Sequence, residues 1–270
     1  MSQQYPMNGG YMPPPQQTQQ PQPPQAYRRT GMLTILAMVA LIFAILVILN
    51  ETMLKIRNVA VIGNQKYSWE EVVKAAGLDR PTSFFTVDEQ TIIRNMRANH
   101  YLVFERMEKG FPNSLTLYVH ERTPIARVQE MGVEYVLDEE GMVLERGVQS
   151  KDSKYVGLMF ITGLKPKEMR VGQIMQAGSS TQMEAFKALI REVILQNIAA
   201  EISELNITDP ESLYLITRDK FTAHLGSPEN LCAKIGTVRA VIAYLRDIHS
   251  NGGMLEADIP GEAVFSPLTP

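Results

Sequence analysis

The stretch SLTLYVHERTPIARV, residues 114–128, decides how this chain folds, because an alternating apolar pattern ends there in a polar cluster and a proline. Apolar side chains alternate from Leu115 to Val119, which predicts a strand with one buried face. Pro124 has no N–H to donate to a neighbouring strand and therefore ends the pairing. This pattern is typical of a strand that stops where one domain meets the next.

Three polar neighbours at the end of this strand raise the question of catalysis. His120, Glu121 and Arg122 are residue types that an acid/base centre uses. Successive side chains of a strand point to opposite faces, so His120 and Glu121 diverge and do not form a hydrogen-bonded pair. We therefore interpret these residues as a structural joint between two domains rather than as a catalytic centre.

The composition of the 270-residue chain excludes several classes of function. The length suits about two domains. A net charge of −3 argues against nucleic acid as the main partner. Cys232 is the single cysteine, which excludes an intrachain disulfide and a cysteine-based zinc site, and the four histidines lack the H-E-x-x-H spacing of a helical zinc site. We expect no cofactor, no metal and no small-molecule substrate.

The first 30 residues are rich in Gln and Pro, as in YMPPPQQTQQPQPPQ. This segment has no aliphatic periodicity to bury, which predicts a disordered tail over residues 1–30. Such a tail is either a tether or a peptide ligand for a cytoplasmic partner.

The next segment, residues 31–50, is predicted to be a single transmembrane helix. Residues 32–49 carry no charge and are long enough, as a helix, to cross the hydrocarbon of a lipid bilayer. No small-residue cleavage site follows them, so we expect an uncleaved anchor rather than a secretory signal. Arg28 and Arg29 precede the helix, which by the positive-inside rule places the tail in the cytoplasm and the later domains outside. These features predict a single-pass type II protein of the cell membrane.

Residues 51–123 are predicted to form a small α+β domain. Ser68 and Glu71 form the pattern of a capping box at the start of a first helix, and Asp88 is suited to cap a second. The order of elements is strand, helix, helix, strand, strand. That order predicts a three-stranded sheet with two helices on one face.

Residues 124–265 are predicted to form a mixed β domain with a C-terminal helix, followed by a short tail at 266–270. A hairpin with the turn Asp138–Gly141 opens the domain, and we interpret its acidic side chains as a solvated turn rather than a metal site or a glycosidase pair. The last helix is predicted to begin with Ser227 as its cap. Cys232 lies near the apolar stripe of that helix and is expected to be buried.

The C-terminal sequence predicts a last strand at the edge of the sheet. Apolar residues alternate from Leu255 to Ile259, Pro260-Gly261 interrupts them, and Ala263 to Phe265 resumes the pattern. An unpaired edge accepts a strand from another chain through backbone hydrogen bonds. The alternative is an ordinary edge strand that proline blunts.

These residues also carry a resemblance to the FtsQ/DivIB family of bacterial division proteins. The domain predicted at residues 51–123 resembles the POTRA domain of that family. The POTRA pattern begins with V-x-G-N, which is matched here by Val61 to Asn64. Its closing pattern P-x-x-L-x-x-x-V-x-E-R-x-P-x-A is matched by Pro112, Leu115, Val119, Glu121, Arg122, Pro124 and Ala126. The second domain resembles the so-called β domain, through Y-x-L-D-x-x-G at 135–141 and FTAHLGSPENLCAKIGTVRAVIAYL at 221–245. The resemblance covers nearly all of residues 32–265.

The resemblance implies a non-enzymatic scaffold of the divisome, located at the septum and coupled to septal peptidoglycan synthesis. It implies assembly with single-pass division proteins that resemble FtsL and FtsB/DivIC, and a strand from FtsB/DivIC that adds beside the last strand. The positions that correspond to this contact are Leu255, Ala257, Asp258, Ile259, Glu262, Ala263, Val264 and Phe265.

Two other hypotheses are a membrane-tethered cell-wall hydrolase and a POTRA-type translocation or assembly factor. A hydrolase would need Ser, His or carboxylate groups that converge on one point. The polar residues considered above diverge or stand alone in the sequence.

Overall fold

A computed structural model describes residues 2, 9–10, 27–52, 54–149, 152 and 154–267. The chain divides into two compact units, residues 1–52 and 53–270. Most of the disordered tail predicted at residues 1–30 lies outside the described residues, but residues 27–30 are described and are helical, so the prediction is wrong for them. The last three residues of the tail predicted at 266–270 lie outside the described residues as well.

The first unit contains one helix, α1, Tyr27–Thr52. It begins before and ends after the predicted limits of 31–50, because helical backbone continues beyond the apolar residues at both ends. Gly31–Ile48 forms an apolar window of 18 residues, and every side chain in it is exposed in the structure. A helix of this length and composition can cross a membrane, as the sequence predicts.

The second unit begins with a three-stranded sheet and two helices. These elements are β1 (Asn58–Ile62), α2 (Trp69–Ala75), α3 (Glu89–Met96), β2 (Leu102–Gly110) and β3 (Ser114–Glu121). The strand order is β1-β3-β2, with β1 parallel and β2 antiparallel to β3. This is the order of elements that the sequence predicts.

The two helices of this part begin where the sequence places their caps. The Ser68 hydroxyl accepts a hydrogen bond from the Glu71 N–H, and the Glu71 carboxylate accepts one from the Ser68 N–H at 2.8 Å. The Asp88 carboxylate accepts from the Thr91 N–H at 3.0 Å. Apolar side chains of both helices then pack on the sheet in a small core that includes Val72, Ile92, Met96, Leu115, Leu117 and Val119.

The rest of the second unit is a mixed β structure with two long helices. Its strands are β4 (Ala126–Glu130), β5 (Val133–Leu137), β6 (Val143–Arg146), β7 (Met159–Thr162), β8 (Pro166–Glu168), β9 (Gln176–Ala177), β10 (Ile202–Asp209), β11 (Ser212–Thr217), β12 (Phe221–Gly226), β13 (Gly253–Glu256) and β14 (Val264–Pro267). Its helices are α4 (Ser180–Leu195) and α5 (Leu231–Asp247). Nine strands form one sheet in the order β14-β13-β12-β11-β10-β7-β4-β5-β6, and β8 pairs with β9.

The main core lies between this sheet and the two helices α4 and α5. Alternate strand residues point to the same face, so each strand contributes every second side chain to this core. The largest fully buried side chains include Phe186 of α4 and Phe221 of β12. The architecture confirms the predicted α+β class.

The start of α5 differs from its prediction. The helix begins at Leu231 after Asn230, whose backbone is left-handed with φ of 55°, and not at Ser227. The Ser227 carbonyl instead accepts a hydrogen bond from Lys234 Nζ at 3.0 Å. Asn tolerates the left-handed conformation, so the chain makes a turn before it becomes helical.

The burial predicted for Cys232 is wrong, because its side chain is exposed. The buried stripe of α5 contains Leu231, Ile235, Val238, Ile242 and Leu245. Cys232 is displaced from this stripe by about 100° around the helix axis, since each residue advances by that angle.

Candidate functional site

The C-terminal edge of the large sheet is made of two strands rather than the one that the sequence predicts. β13 pairs in parallel with β12 and antiparallel with β14, so it is an interior strand. The chain turns back between β13 and β14, where the Glu262 N–H donates to the Ile259 carbonyl at 3.1 Å. β14 therefore takes the outermost position, and the prediction that Leu255 lies at the edge is wrong.

The opposite edge of the same sheet, β6, is covered at its first residue, Val143, by backbone from residues 172–173. The Val143 N–H donates to the Gln173 carbonyl at 2.9 Å, and the Gly172 N–H donates to the Val143 carbonyl at 2.8 Å. In the part of the chain that the structure describes, no strand lies beyond β14. β14 is therefore an open edge of the large sheet, whereas β6 is partly covered at its start.

The eight predicted contact residues fall into two groups at this edge. Leu255 and Ala257 are fully buried in the main core. Ala263 and Phe265 pack partly against that core, and the Phe265 ring lies 6.4 Å from the Phe221 ring between centroids.

The remaining four residues are on the surface. Asp258 and Glu262 are exposed in and around the turn. Ile259 is 53% exposed and Val264 is 66% exposed, although both are large apolar side chains. Ile259 and Val264 are therefore the apolar side chains of this set that a second protein can reach.

The hydrogen bonds of β13 determine which backbone groups of β14 face outward. Gly253 and Ala257 donate their N–H groups toward β12, to the carbonyls of Lys220 and His224. Polar backbone groups alternate along a strand, so Met254 and Glu256 face β14 and pair there with Ser266 and Val264. The N–H and C=O of Phe265, between those two residues, then point away from the sheet.

A polar row crosses the sheet face beside this edge. The Glu256 carboxylate lies 2.7 Å from Nδ1 of His224, and Nε2 of His224 lies 3.0 Å from the Ser212 hydroxyl. The Tyr214 ring stacks on the His224 ring at 4.6 Å. Val264 pairs with Glu256 at the open edge, so an apolar side chain lies next to the end of this row. The polar contacts connect β11, β12 and β13, and β14 pairs with the last of these strands.

The joint that the sequence predicts around Arg122 is built from an ion-pair cluster. Arg122 donates to the carboxylates of Asp138 at 2.5 Å and Glu140 at 2.9 Å. Burial alone would lower the pKa of Arg122, but the two carboxylates raise it above its ordinary value. Asp138 is buried and also accepts from the N–H groups of Glu140 and Met142. The prediction of a solvated turn is therefore wrong for Asp138, which organises the hairpin turn from inside.

His120 and Glu121 point in different directions and have different partners. His120 lies 3.0 Å from the Glu105 carboxylate on the neighbouring strand β2. The Glu121 carboxylate accepts from three backbone N–H groups, of Gln65, Lys66 and Tyr67, at 2.7 to 3.0 Å. Partial burial raises the pKa of Glu121, but these donors outweigh it and hold the pKa below its ordinary value. Glu121 fastens the turn after β1 to the end of β3, and the two residues do not form an acid/base pair.

The part of the chain that the structure describes contains no group of side chains that could bind a metal ion. Among those residues, no three His, Cys, Asp or Glu side chains lie together in a way that could hold an ion. The C-terminal edge offers backbone hydrogen-bonding groups and apolar side chains, which suit a polypeptide ligand.

Two sequence models of one family match this chain. The model "POTRA domain, FtsQ-type" matches residues 54–122, and the model "Cell division protein FtsQ/DivIB, C-terminal" matches residues 126–258. The two matches meet at the joint around Arg122 and follow the two parts of the fold described above. The chain belongs to the FtsQ/DivIB family.

Individual FtsQ and DivIB proteins are similar to this chain at low identity. Cell division protein DivIB of Clostridium tetani is 21% identical over 83% of this chain and 84% of its own length. Cell division protein FtsQ of Geobacter sp. strain M21 is 28% identical over 44% of this chain and 42% of its own length. The solved extracytoplasmic domain of DivIB from Geobacillus stearothermophilus aligns with 47% of this chain and 96% of that chain, at 14% identity and a TM-score of 0.29. The assignment to FtsQ/DivIB is therefore carried by the sequence models.

A second contact between the FtsQ-type POTRA part and the β part was not found by sequence reasoning. Tyr101 and Tyr155 donate their hydroxyls to the two oxygens of the Glu145 carboxylate, and Lys154 Nζ lies 2.5 Å from it. Burial and the neighbouring carboxylate raise the pKa of Tyr101 well above its ordinary value. Tyr101 and Glu145 are 44 positions apart, and no local pattern marks a pair at that distance.

Proposed function

We propose that this cell-division protein is a non-enzymatic scaffold of the divisome, and that the open edge of β14 takes up a strand from another single-pass division protein. The observation that carries the proposal is the outward N–H and C=O of Phe265, on a strand whose other side is paired with β13. An added strand would satisfy these groups through backbone hydrogen bonds.

The exposed groups of β14 indicate which kind of peptide segment would bind to this edge. Pro267 has no N–H, so the outward side of β14 offers the donor of Phe265 and the acceptors of Phe265 and Pro267. Val264 and Ile259 supply exposed apolar contact on either side of the turn. The ligand is therefore an extended segment with small or apolar alternate residues, and the resemblance to FtsQ/DivIB implies that FtsB/DivIC supplies it.

The membrane anchor supports the same proposal. Residues 32–49 would hold the folded domains at the membrane surface, with the N-terminal tail in the cytoplasm and residues after about 51 outside. Confinement to one surface raises the effective concentration of other membrane-bound proteins without any new contact. Partners of the FtsL and FtsB/DivIC type, at the septum and coupled to peptidoglycan synthesis, fit this arrangement.

Two substitutions at Phe265 separate the backbone donor from the side chain. Phe265→Ala removes the ring and keeps the N–H, whereas Phe265→Pro removes both. We would co-express each full-length variant with a tagged FtsB/DivIC homologue, purify the tagged protein from membranes and quantify the variant that co-purifies. We expect Phe265→Pro to lose far more of the complex than Phe265→Ala, because only the proline variant lacks the outward donor.

Tyr244→Ala is the matched control, since Tyr244 is 64% exposed on α5, outside the edge. It should co-purify as well as the unsubstituted protein does. Equal recovery with Phe265→Pro and Phe265→Ala, at equal stability, would show that the edge donor is not used.

A further inference from the structure

Three phenylalanine rings form an exposed aromatic group at one end of the FtsQ-type POTRA part. Phe85 is 66% exposed and Phe111 is 76% exposed. Phe84 lies between them, with its ring centroid 5.6 Å from that of Phe85 and 6.0 Å from that of Phe111, both edge to face. Exposed apolar rings held side by side are unusual on a monomeric surface and mark a place where something else binds.

This aromatic group is held by backbone contacts to the segment that leaves the membrane helix. The Phe84 N–H donates to the Leu54 carbonyl at 2.8 Å, and the Ile56 N–H donates to the Thr82 carbonyl at 2.9 Å. The Arg57 N–H donates to the Asn113 carbonyl at 3.0 Å. Three segments, residues 54–57, 82–87 and 109–114, therefore meet around the rings.

These three segments carry positive charge and no negative charge. Lys55, Arg57 and Lys109 are their basic residues, and none of their residues is acidic. Lys109 Nζ donates to the Val87 carbonyl at 2.6 Å and lies 5.8 Å from the centre of the Phe84 ring. A lysine beside exposed aromatic rings, with two further basic residues in the adjoining segment, suits the boundary between the hydrocarbon and the anionic headgroups of a bilayer.

The covalent chain limits how far this group can be from a membrane. Leu54 follows Ile48, the last residue of the apolar window of α1, by six positions. Six extended residues span at most about 20 Å, and the headgroup layer itself is about 5–7 Å deep. Aromatic side chains concentrate in that layer, beside the ends of membrane helices.

We propose that the aromatic group of Phe84, Phe85 and Phe111 docks on the headgroup layer of the bilayer that α1 crosses, with Lys109 beside the rings at the level of anionic phospholipids. Docking would fix the first folded domain against the membrane and so set the height and direction at which the β14 edge is offered. The inference rests on the anchoring part of the proposed function and does not depend on strand uptake at β14.

Fluorescence quenching by brominated phospholipids tests this contact in the full-length protein. Trp69 is the single tryptophan, so Trp69→Phe gives a background without indole emission. Phe111→Trp, Tyr244→Trp and Phe43→Trp are then made one at a time in that background and reconstituted in phosphatidylglycerol-containing vesicles. Tyr244 is exposed like Phe111 but lies on α5, and Phe43 lies in the apolar window of α1, five residues before its end at Ile48.

We expect lipids brominated near the top of the acyl chains to quench the indole at position 111 and to leave the indole at position 244 unquenched. Equal quenching at 111 and 244, with the indole at 43 quenched, would overturn the docking proposal alone and would favour a protein partner for the rings. An unquenched indole at position 43 would overturn the membrane anchor and the docking proposal together.

Hydrogen exchange on the unsubstituted full-length protein gives an independent measurement that needs no variant. In nanodiscs of anionic phospholipid, amides of residues 82–87 should exchange more slowly than in zwitterionic nanodiscs. Amides of β14 should be unchanged between the two. An equal rate for residues 82–87 in both lipids would contradict the proposed role of anionic headgroups.

Discussion

Gly253 is the first residue of β13 and pairs with Pro267 at the end of β14, so its replacement by alanine tests how tightly the outer strand packs on β13. A Cβ atom at this position would lie 2.4 Å from Cε2 of the Phe265 ring and 2.6 Å from the Ser266 carbonyl oxygen. Ordinary contacts of a Cβ begin near 3.4 Å. The ring can rotate away in part, but the Ser266 oxygen belongs to the backbone, so β14 itself must move.

The structure sets the size of this effect. Overpacking of this kind costs about 1–3 kcal/mol. Complete release of β14 would expose the half-buried ring of Phe265. A fully buried Phe→Ala change costs about 3–5 kcal/mol, so exposing this ring would cost about half of that. Release would also break the hydrogen bonds between β14 and β13. Overpacking with β14 in place and release of β14 have similar costs. We therefore expect Gly253→Ala to shift and loosen β14 at a free-energy cost of about 2 kcal/mol. Such a change accelerates exchange of the paired amides about 10- to 100-fold.

Hydrogen exchange at Val264 and Ser266, whose amides face β13, measures this directly in the full-length protein. Gly157→Ala is the control, because a Cβ at Gly157 meets no atom within 4 Å. It should leave both the exchange rates and the free energy of unfolding unchanged. If Gly253→Ala exchanges as slowly as the unsubstituted protein, the packing of β14 on β13 described above is incorrect.

Three further predictions concern the joint and the surface of the second unit. The pKa of Glu121 is depressed on folding, so its stabilisation is complete above its ordinary value of 4.5 and is lost as the pH falls below that value. Glu121→Gln should cost about 1–2 kcal/mol at pH 7 and flatten this acid limb in urea unfolding, whereas parallel pH profiles of the two proteins would contradict the assignment. Arg122→Ala leaves the buried Asp138 without its cation and should cost about 2–3 kcal/mol in chemical denaturation; a loss near zero would mean that the pair is not structural. Cys232 should react with a maleimide in the native protein as fast as an exposed thiol, and protection until unfolding would contradict its position on α5.

Local signals in the sequence were sufficient for most elements. The capping box of Ser68 and Glu71 and the cap at Asp88 involve residues three positions apart, so the pattern that stabilises the helix start is visible in the sequence itself. Alternation from Leu115 to Val119 is visible for the same reason. The apolar length of α1 likewise requires no knowledge of tertiary contacts.

Two of the errors concern residues whose environment depends on distant parts of the chain. The sequence predicts a solvated turn at Asp138 because it does not show that the partner Arg122 lies beside this turn in the fold. The sequence predicts an edge position for Leu255 because the alternation of apolar residues does not show that β14 pairs beside it. Asn230 adopts a left-handed conformation that a favourable Ser227-Pro228 helix start conceals. Tertiary packing decides the first two cases, and in the third a local left-handed turn displaces the helix start.

Site-specific photocrosslinking at the outer strand tests the central claim most directly. A photoreactive amino acid is introduced at Val264, which is 66% exposed on β14, or at Tyr244, which is 64% exposed on α5, in the full-length protein of dividing cells. Strand uptake at β14 predicts a strong crosslink from position 264 to a single-pass division protein of the FtsB/DivIC type and little or none from position 244. Normal division with no such crosslink from position 264, or with equal crosslinks from both positions, would contradict the claim.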